Sequence, residues 1–147
     1  MTKDEQIEFL REQVKLYRFD YLTGLKQRRD FEHDLRKKLK VDSFWLCYYD
    51  VNNLHKTNRE QGFAEGDKLI RQVANDIQYQ DIAHLAYRTS GDEFYAICCS
   101  EPTHEVENAT MVKAFTEFDT MDDLLDKLDK LMIEAKAKNK TRRATDV

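Results

Sequence analysis

The stretch RTSGDEF at residues 88–94 places two adjacent acids on a tight turn between two apolar runs. The flanking runs, about Ile82–Thr89 and Glu93–Cys99, have the length of strands, and two such runs around a short turn are typical of a β-hairpin. Gly91 can take a positive φ in this turn, because glycine adopts that conformation at little cost. The pattern therefore predicts a hairpin whose turn presents Asp92 and Glu93.

Two further strands and four helices are predicted around the hairpin. The run FWLCYYDV at residues 44–51 predicts a buried strand that ends at Asp50-Val51, and Ala109–Phe118 predicts the last strand. Helical spacing of apolar residues predicts a helix at about 4–18, one ending near 40, one at 65–78 and one at 121–138. Residues 52–66 are polar and predict a functional loop with a short helix. The order α-α-β-α-β-β-β-α predicts an α+β fold with helices packed on a largely antiparallel sheet.

Length and composition limit the classes of function. A chain of 147 residues with 41% hydrophobic and 35% charged residues is expected to form one domain with a heavily charged surface. Its net charge of -4 argues against a general DNA-binding or RNA-binding protein. No apolar run approaches membrane-spanning length, so we expect a cytoplasmic protein without membrane contact. The cysteines at 47, 98 and 99 lie in apolar runs and are interpreted as reduced core residues.

Asp50 is a candidate third member of the acidic pair, because it follows six uninterrupted apolar residues at the point where a buried strand ends. Carboxylates at strand ends can meet around a hard divalent cation, which prefers oxygen ligands and shares them with substrate phosphates. Two such cations bridging phosphates are a standard arrangement for phosphoryl transfer. Solvation alone is the alternative explanation, since acids at strand ends are common.

Three segments, in this order, resemble the motifs of the GGDEF family of diguanylate cyclases. They are DYLTGLKQRR at 20–29, DVNNLHKTN at 50–58 continuing to Gly66-Asp67, and RTSGDEF at 88–94, with a weaker echo at 129–136. The family condenses two GTP molecules into cyclic di-GMP on a palm-type fold. The chain is similar to a shortened variant with an S-G-D-E-F signature, in which the region after Cys99 lacks one helix of the family fold. The resemblance divides the chain into an N-terminal helix at 1–18 and a minimal GGDEF-like domain at 19–147.

The resemblance implies a site for two Mg²⁺ or Mn²⁺ ions. Asp50 and Asp92 would hold the metals, and the carbonyl of Val51 would complete the ligand set. Glu93 would also bind metal and would help to activate the attacking 3′-hydroxyl as a general base. Asp50, Asp92 and Glu93 are therefore the implied catalytic residues.

The resemblance also implies a GTP site beside the metals. Asn58 and Asp67 would bind the guanine edge, because a carboxylate can accept from the ring N–H and the exocyclic amine together. The backbone N–H groups of Asn53 and Leu54 would cradle phosphate in a nest-like loop.

Four more residues belong to the implied substrate site. Lys136 would neutralise the triphosphate, and Lys140 stands where the family usually has arginine, which keeps the charge but loses the bidentate fork. Ser90 and Gly91 would lie beside the ribose and the α-phosphate, and Ser90 replaces the first glycine of the family turn.

Two hypotheses about function remain open from the sequence. The first is a cyclase that needs a homodimer, because each family site handles one GTP and condensation brings two sites together. The second is a catalytically impaired GGDEF-like domain that binds a nucleotide or a protein partner, which Ser90 and the replacement of a phosphate-loop lysine by His55 favour. Residues 81–84 depart from the family's R-x-x-D motif, so we expect no feedback binding of product there.

Overall fold

A five-stranded sheet forms the centre of the computed structural model, which describes residues 1–80, 83–117 and 119–145. The side chains of residues 15–17, 84 and 141–145 lie outside this description. The strands are β1 (Lys26–Gln27), β2 (Phe44–Val51), β3 (Ala83–Ser90), β4 (Glu93–Cys98) and β5 (Ala109–Thr116). Their spatial order is β1-β3-β4-β2-β5, and every pair is antiparallel except the pair of β1 with β3.

Helices cover both faces of this sheet. They are α1 (Lys3–Arg18), α2 (Arg28–Leu39), α3 (Leu54–Gln61), α4 (Phe63–Gln78) and α5 (Met121–Thr145). The predicted α+β fold with a largely antiparallel sheet and flanking helices is therefore confirmed.

The sequence of the central strand β2 is continuously apolar rather than alternating because both of its faces are buried. Successive side chains point to opposite faces, and each face packs on its own hydrophobic cluster. Tyr49 is fully buried in the cluster that includes Val73 and Ile77 of α4. Tyr48, on the other face, packs in the cluster that includes Leu35 of α2 and Leu128 of α5. A strand buried on both sides holds its end, at Asp50, in a fixed position.

The structure corrects several boundaries. Strand β1 was not predicted, because two residues are too short to show a period of two, and the strand is defined by its pairing with β3. Helix α4 begins at Phe63 rather than near 65, directly after Gly62, whose φ is 92°. Helix α5 continues to Thr145 rather than ending near 138. The predicted strand ends at Ile82 and Phe118 lie outside the described residues.

The segment between β4 and β5, residues 99–108, contains no helix. That one helix of the family fold is missing there stays a prediction. Residues 99–108 instead form an irregular cover with Pro102 and Val106 buried. Lys113 of β5 donates to the Pro102 carbonyl over 2.6 Å and ties this cover to the sheet. The interpretation of Cys99 as a core residue was wrong, because β4 ends at Cys98 and the Cys99 side chain is exposed.

Helix α1 presents apolar side chains to solvent, with Ile7, Leu10 and Val14 all exposed. The fourth member of the predicted stripe, Tyr17, has a side chain outside the described residues. Among the helices of the described chain, none has the length and apolarity needed to cross a bilayer. The division into an N-terminal helix at 1–18 and a domain at 19–147 stays a prediction, as does the cytoplasmic location.

Candidate functional site

The sheet register brings the three predicted acids together. Asp50 of β2 lies opposite Glu93 of β4 in the antiparallel pairing, and the backbone N–H of Val51 donates to the carbonyl of Asp92 over 2.8 Å. Asp50, Asp92 and Glu93 each offer one carboxylate oxygen, and these oxygens lie within 4.8 Å of one another. All three residues are partly buried. The acids therefore form one cluster at one end of the hairpin.

The electrostatics of this cluster disfavour negative charge. Burial raises the pKa of Asp50, and the neighbouring charges of Asp92 and Glu93 raise it further. Lys136 opposes this shift, since its Nζ donates to Asp50 Oδ1 over 2.7 Å, but it does not cancel it. Asp129 of α5 has a pKa that is raised by burial and then by the charge of Glu93. A cation placed among these carboxylates would relieve their mutual repulsion.

The donor set fits a hard divalent cation. Three carboxylates supply only oxygen ligands, and Mg²⁺ and Mn²⁺ prefer such ligands to sulfur or imidazole. The side chain of Asp50 is 13% exposed, which leaves an approach from solvent. Val51 is buried with its backbone paired to Ala109 of β5, and the role of its carbonyl as a ligand stays a prediction.

The predicted phosphate loop is a tight turn between β2 and α3. Asn53 has a φ of 62°, a left-handed conformation that asparagine tolerates better than most residues, and it precedes the first residue of α3, Leu54. The Leu54 side chain is buried and anchors the turn on the core. On the other side, the N–H of Asn52 donates to the carbonyl of Asn108 over 2.8 Å. The first N–H groups of a helix have no partner within the helix, so the start of α3 can present N–H groups to an anion. The binding of phosphate by Asn53 and Leu54 stays a prediction.

The two predicted guanine-binding residues lie on neighbouring helices that pack closely at Gly66. A Cβ at Gly66 would overlap the carboxamide oxygen of Asn58 and approach Leu54, so a side chain there would displace Asn58. Asp67 follows directly on α4 and is partly exposed. Close helix packing therefore brings Asn58 against Gly66, the residue before Asp67. The contact of Asn58 and Asp67 with guanine stays a prediction.

The hairpin turn is exposed, and its glycine does not adopt a positive φ. Ser90 and Gly91 are exposed, as expected of residues that would face a nucleotide. Gly91 does not have a positive φ, so the turn does not use the conformation that glycine permits. The register of β3 and β4 shifts between Arg88 and Ser90, at the start of the turn. A Cβ at Gly91 would meet no atom within 4 Å.

A partly buried ion pair, which the sequence analysis did not predict, anchors this turn. Arg88 Nη1 lies 3.1 Å from both carboxylate oxygens of Asp20, and Arg88 Nη2 donates to the Gly91 carbonyl over 2.9 Å. Burial acts to raise the pKa of Asp20, but hydrogen bonds from Thr23 and the charge of Arg88 outweigh it and lower that pKa. Both residues stand in motif segments, but 68 residues separate them, and no signal in a single sequence indicates that they pair.

Helix α5 carries the two predicted phosphate-binding lysines. Lys136 is held against Asp50, as described above, and Lys140 lies one turn further along the helix with an exposed side chain. Between them, Asn139 donates to the hydroxyl of Thr110 over 3.3 Å. The Thr110 hydroxyl in turn donates to Asn52 Oδ1 over 2.8 Å, a link that the sequence did not predict.

Comparison with protein families and curated proteins supports the motif assignment. A family model described as "Diguanylate cyclase, GGDEF domain" matches residues 17–117. A curated relative, the cyclic di-GMP phosphodiesterase PdeB of Shewanella oneidensis, is 34% identical over 97 residues. That alignment covers 64% of this chain and 11% of the phosphodiesterase, so the chain corresponds to a small part of that protein.

Solved structures share the fold. The S helix-GGDEF-EAL part of Vibrio cholerae LapD, bound to c-di-GMP, matches with a TM-score of 0.74 and 17% identity. The match covers 95% of this chain and 39% of that solved chain. The coiled coil and GGDEF domain of DgcB from Caulobacter crescentus, in complex with c-di-GMP, matches with a TM-score of 0.71 and 19% identity. Here 92% of this chain and 91% of that one are covered, and at these identities the likeness shows the fold alone.

Proposed function

We propose, from the premise that this chain belongs to the GGDEF-domain family, that it binds GTP with Mg²⁺ or Mn²⁺ and condenses two GTP molecules into cyclic di-GMP. The observation that carries this proposal is the cluster of Asp50, Asp92 and Glu93, whose ligand oxygens lie within 4.8 Å of one another beside the predicted phosphate loop. An acid whose pKa is raised by burial and then by neighbouring acids, as at Asp50, is typical of functional sites rather than of stabilising ones.

Each part of the site has a separate task in this proposal. The divalent cations, held by Asp50, Asp92 and Glu93, supply charge neutralisation of the phosphates and of the attacking oxygen. The N–H groups of Asn53 and Leu54 bind phosphate oxygens and orient the triphosphate.

The remaining residues select the base and move the proton. Asn58 and Asp67 bind the guanine edge, and Glu93 accepts the proton of the 3′-hydroxyl. Lys136 and Lys140 add positive charge along the phosphates from the side of α5.

Condensation also requires a second copy of this domain. The acids and the phosphate loop of one copy form a site for one GTP, so two copies must bring their hairpin turns face to face. Ser90 and Gly91 are exposed at this turn, and they would lie between the two nucleotides. The proposed partner is therefore a homodimer that forms at least transiently.

A second candidate function is nucleotide binding without catalysis. The name of the curated relative, a cyclic di-GMP phosphodiesterase, favours it, because a matching GGDEF segment is part of a protein named for a different activity. The exposed hydroxymethyl group of Ser90, where the family has glycine, could crowd the second nucleotide without preventing binding of the first.

Turnover with product analysis separates the two candidates. Purified protein is incubated with GTP and Mn²⁺, and the products are identified by mass spectrometry, with Asp92→Asn as the inactive comparison. A cyclase yields cyclic or linear dinucleotide, and its specific rate rises with protein concentration because two copies must meet. Clean GTP binding without any dinucleotide at high protein concentration would overturn the proposed activity and support the binding function.

A further inference from the structure

A line of three polar side chains connects helix α5 to the predicted phosphate loop. Asn139 Nδ2 donates to Thr110 Oγ1 over 3.3 Å, and Thr110 Oγ1 donates to Asn52 Oδ1 over 2.8 Å. The three residues come from α5, from β5 and from the residue after β2, so 87 positions in sequence separate the two ends.

Thr110, the middle residue of this line, is buried, so its hydroxyl group depends on partners within the protein. Thr110 is 7% exposed, and Thr116 is the other buried threonine among the residues whose side chains are described. A buried hydroxyl without a partner is costly, and Thr110 satisfies both its donor and an acceptor position within the line. The arrangement therefore holds the Asn52 carboxamide in one place.

Asn52 is fixed from its backbone as well. Its N–H donates to the carbonyl of Asn108, which has a φ of 66° and whose side chain donates to Gln72 of α4 over 3.0 Å. The residue that enters the phosphate loop is thus held on two sides, by α4 through Asn108 and by α5 through Thr110. The loop residues that follow, Asn53 and Leu54, start from this doubly anchored position.

We propose that Thr110 and Asn139 are positioning residues that hold the phosphate loop in register with the lysines of α5. Asn139 lies between Lys136 and Lys140 on that helix. The hydrogen bonds that fix Asn52 therefore also fix the position of the loop relative to the part of α5 that carries these two lysines. This inference rests on the proposed GTP site. It adds that neutral hydrogen bonds, made by residues that do not touch the nucleotide, set the geometry of phosphate binding.

The matched pair Thr110→Val and Thr116→Val tests the inference. Both threonines lie on the same face of β5 and both are buried, but Thr116 bonds to the backbone of Phe44, far along the strand from the site. Thr110→Ser restores the hydroxyl and serves as the rescue variant. Asn139→Ala removes only the outer bond, and it keeps the test open if Thr110→Val does not fold.

Two measurements are made on each variant. The first is amide hydrogen exchange at Asn52 in the protein alone, which reports anchoring without any nucleotide. The second is the affinity for 3′-deoxy-GTP with Mn²⁺, a probe that lacks the attacking hydroxyl and therefore cannot condense.

Thr110→Val is expected to speed exchange at Asn52 and to weaken nucleotide affinity by roughly three- to tenfold, the range for loss of one buried hydrogen bond. Asn139→Ala is expected to cause about a twofold loss, since the inner bond remains. Thr110→Ser should restore both quantities, and Thr116→Val should lower the melting temperature without changing either.

Unchanged amide exchange at Asn52 in Thr110→Val would show that Thr110 does not anchor Asn52, whatever the affinity for 3′-deoxy-GTP. Faster exchange with unchanged nucleotide affinity, or an equal loss of affinity in Thr116→Val, would overturn the positioning role. Absence of nucleotide binding by the unsubstituted protein would overturn the proposed function instead, and the exchange result would still decide the anchoring.

Discussion

Asp20 and Asp50 have similar surroundings and opposite pKa shifts. Each carboxylate pairs with one cation, Arg88 for Asp20 and Lys136 for Asp50, and their side chains are 14% and 13% exposed. The pKa of Asp20 is lowered, because hydrogen bonds and Arg88 outweigh its burial, whereas the pKa of Asp50 is raised by burial and by two neighbouring acids. Since both acids have an ion pair, the difference comes from burial and acidic neighbours at Asp50 and from the hydrogen bonds that Thr23 donates to Asp20.

This contrast suggests different tasks for the two acids: Asp20 stabilises the fold, whereas Asp50 belongs to the proposed cation site. The pair of Asp20 with Arg88 fixes the hairpin turn and favours the folded state above the ordinary pKa of aspartate. The cluster around Asp50 opposes folding in the same pH range, a cost that is expected where a site is built to hold a cation. Substitutions in the two regions should therefore have effects of opposite sign on stability, and only one region should carry the chemistry.

The largest expected effect is on turnover, from Glu93→Gln. Loss of the general base should reduce the rate of dinucleotide formation by about a thousandfold, while the fold and GTP binding persist. Initial rates with GTP and Mn²⁺ measure the loss. Glu107→Gln, an exposed acid outside the cluster, serves as the control and should retain the full rate. Equal rates in Glu93→Gln and the unsubstituted protein would remove Glu93 from the reaction.

The next effect is on stability, from Asp20→Asn. Breaking this partly buried ion pair removes charge-assisted hydrogen bonds from Arg88 and should reduce the free energy of unfolding by about 1.5 to 3 kcal/mol. Urea denaturation measures this change. Lys68→Met, which breaks a pair whose side chains are 68% and 44% exposed, should cost less than about 0.5 kcal/mol. A similar loss in both variants would show that the turn anchor is an ordinary surface pair.

Gly66 and Gly91 differ in the space that is available for a Cβ atom, so their substitution by alanine should have different effects. Gly66→Ala should destabilise the protein by about 1 to 3 kcal/mol and weaken GTP binding, because the new Cβ overlaps the Asn58 side chain. Gly91→Ala should change the free energy of unfolding by less than about 1 kcal/mol, since its φ is not positive and space is open around it. Urea denaturation of both variants, with titration of GTP, measures the difference. A larger loss of stability in Gly91→Ala would contradict the described turn.

The smallest effect is in the pH dependence of stability, and its sign distinguishes the two acids. Because the folded-state pKa of Asp20 is lowered, its contribution is present above the unfolded pKa and is lost as pH falls through the folded pKa. The raised pKa of Asp50 makes stability fall as pH rises from the unfolded value through the folded one. Without metal at neutral pH, Asp50→Asn should therefore raise the melting temperature and Asp20→Asn should lower it. A lower melting temperature in Asp50→Asn would show that Lys136 outweighs the acidic neighbours.

The sequence predicted the elements because their apolar patterns are long and regular. Leu35 of α2, Ile77 of α4 and Leu128 of α5 each belong to the helically spaced apolar stripe of their own helix, and each is buried as that stripe indicates. The pattern could not show β1, since a two-residue strand exists only through its partner. It also could not show where α5 ends, because residues 139–145 are polar apart from Ala144 and contain neither glycine nor proline.

The sequence predicted the acids and the loop of the candidate site, but not the hydrogen bonds and ion pairs that hold them in place. Motif order placed the three acids and the phosphate loop, and the register of β2 with β4 brings the acids together. The links that hold the site depend on tertiary contacts between distant residues. Arg88 with Asp20, and Thr110 with Asn52, are polar pairs of common residue types, and such residues are ordinarily solvated. Nothing in their local sequence distinguishes a buried pair from a solvated one.

A crystal structure with Mn²⁺ and 3′-deoxy-GTP would test the central claim most directly. We predict cations bound by Asp50, Asp92 and Glu93, phosphate oxygens on the N–H groups of the loop at residues 53–54, and guanine between Asn58 and Asp67. Lys136 Nζ should then lie within hydrogen-bond distance of a phosphate oxygen. Nucleotide bound elsewhere, or cations that avoid the three acids, would contradict the account.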